Sequence, residues 1–127
     1  MKEETKLWFD LADEDHESAV LLWENHRYGL SVFLSQQALE KLLKAYIVEY
    51  NNIVPSKTHR IEYLLTEAGL DLKEIGSPDV IELSKAYIRV RYPDLNKQHY
   101  RTKEQAQPLV DMAGKVYIWI KNKFNTH

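Results

Sequence analysis

An all-α fold, an up-and-down bundle of four to five helices, is what this 127-residue chain predicts, and three observations predict it. Apolar residues recur at three- and four-residue steps over long stretches. The four glycines and four prolines fall mostly between those stretches. No segment sustains strand alternation, and no internal repeat or low-complexity tract appears. With 44% apolar and 28% charged residues the chain can bury a core, and its length suits one domain over 1–127.

The first helix, about 4–26, places Trp8, Leu11, Ala12, Ala19, Leu22 and Trp23 on one stripe, with Tyr28-Gly29 as its end. The second, about 30–51, repeats Val32, Leu39, Leu42, Leu43, Tyr46, Ile47 and Tyr50 and is long enough to be the centre of a bundle. Asn51-Asn52 and Pro55 stop it. A short third helix, about 58–68, carries Ile61, Leu64, Leu65 and Ala68, with Thr58 or His59 near its N-cap and Gly69 at C′. Leu70 to Gly76 reads as a loop with room for one helical turn.

Ser77-Pro78-Asp79 reads as an N-cap, a proline at N1 and a first-turn acid. The fourth helix runs from there through Val80, Leu83, Tyr87 and Val90. Pro93 ends it, because the residue before a proline resists the α region, and a turn and loop follow. The fifth helix starts near Thr102, with Gln105 placed to complete a capping box. It continues through Ala106, Leu109, Ala113, Val116, Tyr117, Ile120 and Phe124, with Pro108 inside its first turns.

The chain is mildly acidic overall, at −2, yet residues 85–103 carry Lys85, Arg89, Arg91, Lys97, Arg101 and Lys103 against Asp94 alone. A local cationic surface on an acidic protein points to a small anionic ligand rather than to bulk nucleic acid, and no double-stranded DNA partner is expected. The absence of cysteine excludes disulfides, zinc-thiolate sites and cysteine nucleophiles. The polar start and the lack of any window of about 18 uncharged apolar residues lead us to expect a cytoplasmic protein with no membrane partner. Glycine-rich phosphate loops, nucleophile elbows and nucleotide-binding βαβ patterns are all missing, so no cofactor is expected.

Two residue sets carry chemistry. On the second helix Gln37, Glu40, Lys41 and Lys44 share one sector, either a solvated face with an ordinary Glu40–Lys44 pair or one wall of a polar cleft. In the basic segment Arg91 is suited to gripping a phosphate, His99 to moving a proton and Asp94 to orienting either. The alternative is an Arg91–Asp94 ion pair clamping the proline turn, with His99 in solvent. His59 reads as a brace for the third helix. No second histidine stands at metal-ligand spacing from it, and His16, His26 and His127 are scattered, so no metal site is expected. Asp15 falls near the apolar stripe of the first helix and needs a partner, for which an arginine of the basic segment is the candidate.

Taken together, Gln37-Ala38-Leu39-Glu40-Lys41-Leu42-Leu43-Lys44-Ala45, Pro55-Ser56-Lys57-Thr58-His59, Arg91-Tyr92-Pro93-Asp94 and the helix start from Thr102 to Ala106 resemble the HEPN family, the higher eukaryotes and prokaryotes nucleotide-binding domain. The resemblance implies a helical bundle that dimerises and works beside a minimal nucleotidyltransferase. With the local positive segment it leads us to expect a nucleotide or RNA phosphate in a cleft lined by Lys41, Lys44, Arg91 and His99, with Asp94, Gln37 and Glu40 beside them. Many members are metal-independent ribonucleases or toxins of toxin–antitoxin pairs, using an arginine and a histidine at closer spacing than the seven residues between Arg91 and His99 here. Phosphate binding at a homodimer cleft is therefore the leading expectation. A ribonuclease using His99 and Arg91 and a non-catalytic oligomerisation domain are the alternatives.

Overall fold

The periodic stretches form helices throughout this computed structural model, which describes residues 1–125, and no strand occurs among them. His127 lies outside the described residues. The helices are α1 (Glu3–Glu24), α2 (Tyr28–Tyr46), α3 (Ile61–Ala68), α4 (Val80–Ser84), α5 (Ala86–Arg89), α6 (Pro93–Tyr100) and α7 (Lys103–Lys123). The expected helical bundle is what folds. Among the described residues no helix is long and apolar enough to cross a membrane.

Helix α2 is the axis. Val32, Leu39, Leu42, Leu43 and Ile47 are fully enclosed, and α1, α3, α5, α6 and α7 all pack on it. Its last turn opens into a π-helical turn, Ile47–Asn51, and Asn52 then adopts a left-handed conformation (φ 54) that ends it. Lys2 locks this end, its Nζ donating to the carbonyls of Val48 at 2.7 Å and Glu49 at 3.1 Å. A cation against terminal carbonyls also suits the helix dipole.

Several local expectations shift. Tyr28 and Gly29 begin α2 instead of ending α1; a Cβ on Gly29 would stand 2.8 Å from the Asn96 Oδ1, so a larger residue there would displace the Asn96 side chain of α6. Leu11, assigned to the stripe, is 45% exposed, while Ala12 and Ala19 carry the contact with α2. Ser77 does not cap α4. It takes a left-handed conformation (φ 50), and the helix starts at Val80 after Asp79. Neither Thr58 nor His59 occupies the N-cap position of α3, which falls at Arg60; the Ile61 amide donates instead to the Ser84 hydroxyl at 2.8 Å. Gly69 does end α3 with a positive φ.

The segment expected to be a loop after Pro93 is a helix, α6. Tyr92 is extended (φ −105, ψ 122), as a residue before proline prefers, and that geometry launches a helix as readily as it ends one. Pro93 then supplies the first helical position, Asp94 the acid for the first turn, and buried Tyr100 the anchor. The Thr102–Gln105 capping box forms in full. Pro108 stays within α7 because it and Glu104, whose carbonyl loses its partner, both face solvent.

Helices α1 and α7 are joined through side chains. The His16 ring stacks on Tyr117 with centroids 4.3 Å apart, the Tyr117 hydroxyl donates to Asp13, and Lys121 donates to the same carboxylate at 3.0 Å. Burial, opposed by Asp13 and aided by Lys121, holds the His16 imidazole below its ordinary value of 6.5. An unfolded chain therefore takes up a proton that the folded one refuses. Stability is full above about pH 6.5 and declines as pH falls toward the folded-state value. His16→Phe keeps the stack and removes the proton. Thermal melts from about pH 7.5 to 5 should show a smaller loss in the variant than in the parent; equal losses contradict the assignment.

Candidate functional site

A helix that is apolar on most sides carries one polar node, and the node is buried. Glu40 is 5% exposed and Lys44 8%, so the solvated-face reading of this sector does not hold. The Lys44 ammonium donates to Glu40 Oε1 at 3.0 Å, one helical turn away, and lies 5.4 Å from the centre of the Trp8 ring on α1. Gln37 Nε2 donates to Glu40 Oε2 at 3.1 Å and to Gln36 Oε1 at 2.7 Å. Gln36, fully buried, donates to the His59 carbonyl at 2.8 Å and ties the loop before α3 to α2. A carboxylate taken out of water needs this many donors.

His59 completes the node. Its Nδ1 lies 3.0 and 3.1 Å from the two Glu40 oxygens, while the side chain remains 44% exposed. Its ring is parallel to Tyr87 of α5, with centroids 3.6 Å apart and planes 10° apart. The Arg91 guanidinium lies against the same Tyr87 ring, 4.5 Å from its centre. Buried carboxylate, oriented imidazole, phenol ring and exposed guanidinium thus form one continuous path from the centre of α2 to the surface. With Nδ1 facing Glu40, Nε2 is the ring nitrogen left for a ligand.

The expected site residues divide accordingly. Gln37, Glu40 and Lys44 meet at the node, and Arg91 reaches it through Tyr87. Lys41 turns the other way, to Asp15 of α1, with Nζ 2.5 Å from Oδ2. This is a correction for Asp15, whose partner is a lysine of the neighbouring helix and not an arginine of the basic segment. Lys41 and Lys44 are each engaged by a carboxylate, so an anion there competes with Asp15 and Glu40 for them. Asp94 is exposed and makes no ion pair with Arg91, so the clamp across the proline turn does not form.

His99 lines a different hollow, of about 330 Å³, with Glu82, Arg89, Gln98, Tyr100, Gln105 and Leu109. No hydrogen bond or ring contact joins it to Arg91. Within the basic segment Lys85 and Arg89 are held by Glu82, at 2.9 and 3.1 Å. Arg91, Lys97, Arg101 and Lys103 have no acidic partner among the described residues. Nor does any cluster of three or more candidate metal ligands occur there.

His59 is the residue that sequence reasoning underrates. Its partner Glu40 is nineteen positions away across a turn, a pairing no local spacing reveals. The available signal is a run of polar side chains on an otherwise apolar helix, which must find partners from another segment.

A family model described as HEPN domain matches residues 5–123. Among solved structures, the crystal structure of TT1696 from Thermus thermophilus is similar, with a TM-score of 0.74 and 27% sequence identity over 96% of this chain and 99% of that one. No curated protein matches the sequence significantly.

The node sets a stability expectation. Glu40→Ala leaves Lys44 buried and strands the Gln37 amide, which should cost about 3–5 kcal/mol. Asp15→Asn opens a pair that is partly exposed on both sides and should cost about 1 kcal/mol or less. Urea unfolding of the two variants checks the order, and a Glu40→Ala loss no larger than that of Asp15→Asn contradicts a structural node.

Proposed function

This chain belongs to the HEPN domain family, and we propose that it serves there as a phosphate-binding module that takes a nucleotide or an RNA phosphate on the face formed by His59, Tyr87 and Arg91. The observation that carries this reading is the exposed Arg91 guanidinium, which has no carboxylate partner among the described residues and is oriented by the Tyr87 ring. A guanidinium in that condition offers its paired N–H groups to a phosphate without first breaking an ion pair. His59 beside it adds a further donor or acceptor at Nε2. Lys97, Arg101 and Lys103, without an acidic partner among the described residues, extend the field that draws an anion in.

The proposed working form is a homodimer that cooperates with a minimal nucleotidyltransferase. Support for self-association is a row of exposed leucines along α1, Leu7 at 61%, Leu11 at 45% and Leu21 at 59%, which share one helix face.

A second reading, a metal-independent ribonuclease, is favoured by the Glu40–His59 contact. A carboxylate that orients an imidazole leaves Nε2 to accept the 2′-hydroxyl proton as the 2′-oxygen attacks phosphorus; the P–O5′ bond breaks, the 5′-oxygen takes a proton from water, and Arg91 faces the charge on the non-bridging oxygens. In this arrangement His59, and not His99, is the proton acceptor.

Titration of the protein with ATP and with a short single-stranded RNA, at about 50 and 200 mM salt, tests the binding reading. Arg91→Ala should weaken binding about tenfold or more, with Lys41→Ala changing it less than threefold, as approximate bounds. Absence of binding at low salt, or an unchanged affinity in Arg91→Ala, contradicts it. Any RNA cleavage should vanish in His59→Ala; cleavage that survives this change and is lost in His99→Ala overturns the second reading.

A further inference from the structure

On the opposite flank of α2, the backbones of helices α1 and α7 stay apart: no Cα of one comes within 8 Å of a Cα of the other. Side chains close the gap at one end, where His16 stacks on Tyr117 and Phe9 meets Phe124 edge-on. Toward the other end the facing residues are small, Ala19 on α1 with Ala113 and Gly114 on α7. A cavity of about 260 Å³ remains there, walled by His16, Val20, Trp23 and Val110. A Cβ built on Gly114 meets no atom within 4 Å. Glycine inside a helix is unfavourable relative to alanine, so the open space comes at a cost in helix stability.

The floor of the cavity carries an unused polar group. Ser35 of α2 is 7% exposed and lines the cavity, and its hydroxyl makes no hydrogen bond among the described residues. Ser31, one turn earlier on the same face of α2, does otherwise and donates to the Ala19 carbonyl at 2.7 Å. The Ser35 hydroxyl is not among the enclosed polar atoms that lack a partner, so it is open to the cavity and free to meet a bound polar atom there. The walls are held in place. Trp23 is braced edge-on by Tyr28, with centroids 4.9 Å apart, and His16 by Tyr117. At the rim stand Glu24 and Asp111, both exposed and neither in an ion pair among the described residues.

We propose that this cleft is a second ligand site, for a small planar aromatic compound bearing an amino or amidino group. Size favours one ring with a substituent, since apolar cavities of about 150 Å³ already admit benzene. Trp23 and His16 put aromatic surface in the walls for a ring, and Ser35 adds a hydroxyl to the lining. The two rim carboxylates attract a cation and repel a phosphate, so the ligand class differs from that of the Arg91 face.

Calorimetric titration with benzamidine and benzoate tests this. Benzamidine should bind with a dissociation constant of about 1 mM or tighter, and benzoate at least about tenfold more weakly. Gly114→Leu, which fills the cavity, should weaken benzamidine about tenfold or more without lowering the melting temperature. Ser35→Ala, a smaller change, should weaken it about threefold or more, and Arg91→Ala should leave it unchanged. No binding of benzamidine at millimolar concentration, or equal binding by the parent and both cleft variants, overturns the proposal. So does a Gly114→Leu protein that changes from dimer to monomer while the parent binds no benzamidine, which would assign the cleft to a second copy of the chain.

Discussion

One carboxylate sets the terms for the rest of the molecule. Glu40 is buried in the central helix, and a charge in that position is tolerated only when donors surround it. Three come from α2 itself, Gln36, Gln37 and Lys44, and the fourth group, His59, comes from the loop that follows. Meeting that demand brings the loop onto α2, places Trp8 of α1 over Lys44, and directs the His59 ring outward onto Tyr87. Arg91 is then oriented by an aromatic ring instead of being consumed by an acid. The function proposed for this face would be inherited from the way a buried charge is satisfied.

The same logic of borrowed partners runs through the frame. Helix α3 has no side-chain cap of its own, and its first amide is met by Ser84 from α4, whose hydroxyl also donates to Glu62 at 2.6 Å. The far end of α2 is met by Lys2. On the other flank, α1 and α7 are spanned by Asp13, His16, Tyr117 and Lys121, and burial together with Asp13 pushes the Tyr117 phenol well above its ordinary range. Short helices that cannot stabilise their own termini are held by side chains from elements distant in sequence. This explains why a small domain with several helices of eight residues or fewer keeps a defined surface.

Most of the fold is legible in the sequence, and the site is legible only in part. Helices α1, α2 and α7 announce themselves by their apolar period, Gly69 by its place after Ala68, and the Thr102–Gln105 box by its spacing. Helix α6 escapes a sequence reading that weighs Pro93 for what it ends and not for what it begins. Ser77 looks like a cap because cap, proline and acid stand in the right order, yet its backbone turns left-handed and the helix starts later. The polar sector of α2 is visible, but the same four side chains fit a wet face or a buried node. Only burial by α1 and the loop before α3 distinguishes them. Pairs such as Glu40 with His59 and Asp15 with Lys41 join residues nineteen and twenty-six positions apart, beyond the reach of any helical period.

Glu40 holds His59 through Nδ1, and Nε2 has no hydrogen-bond partner among the described residues. Long-range proton–nitrogen correlation spectra of the imidazole, recorded at a pH where the ring is neutral, report this directly. His59 should carry its proton on Nδ1 in the parent protein and lose that preference in Glu40→Gln. A ring that is protonated on Nε2 in the parent, or whose tautomer is indifferent to Glu40→Gln, would contradict it.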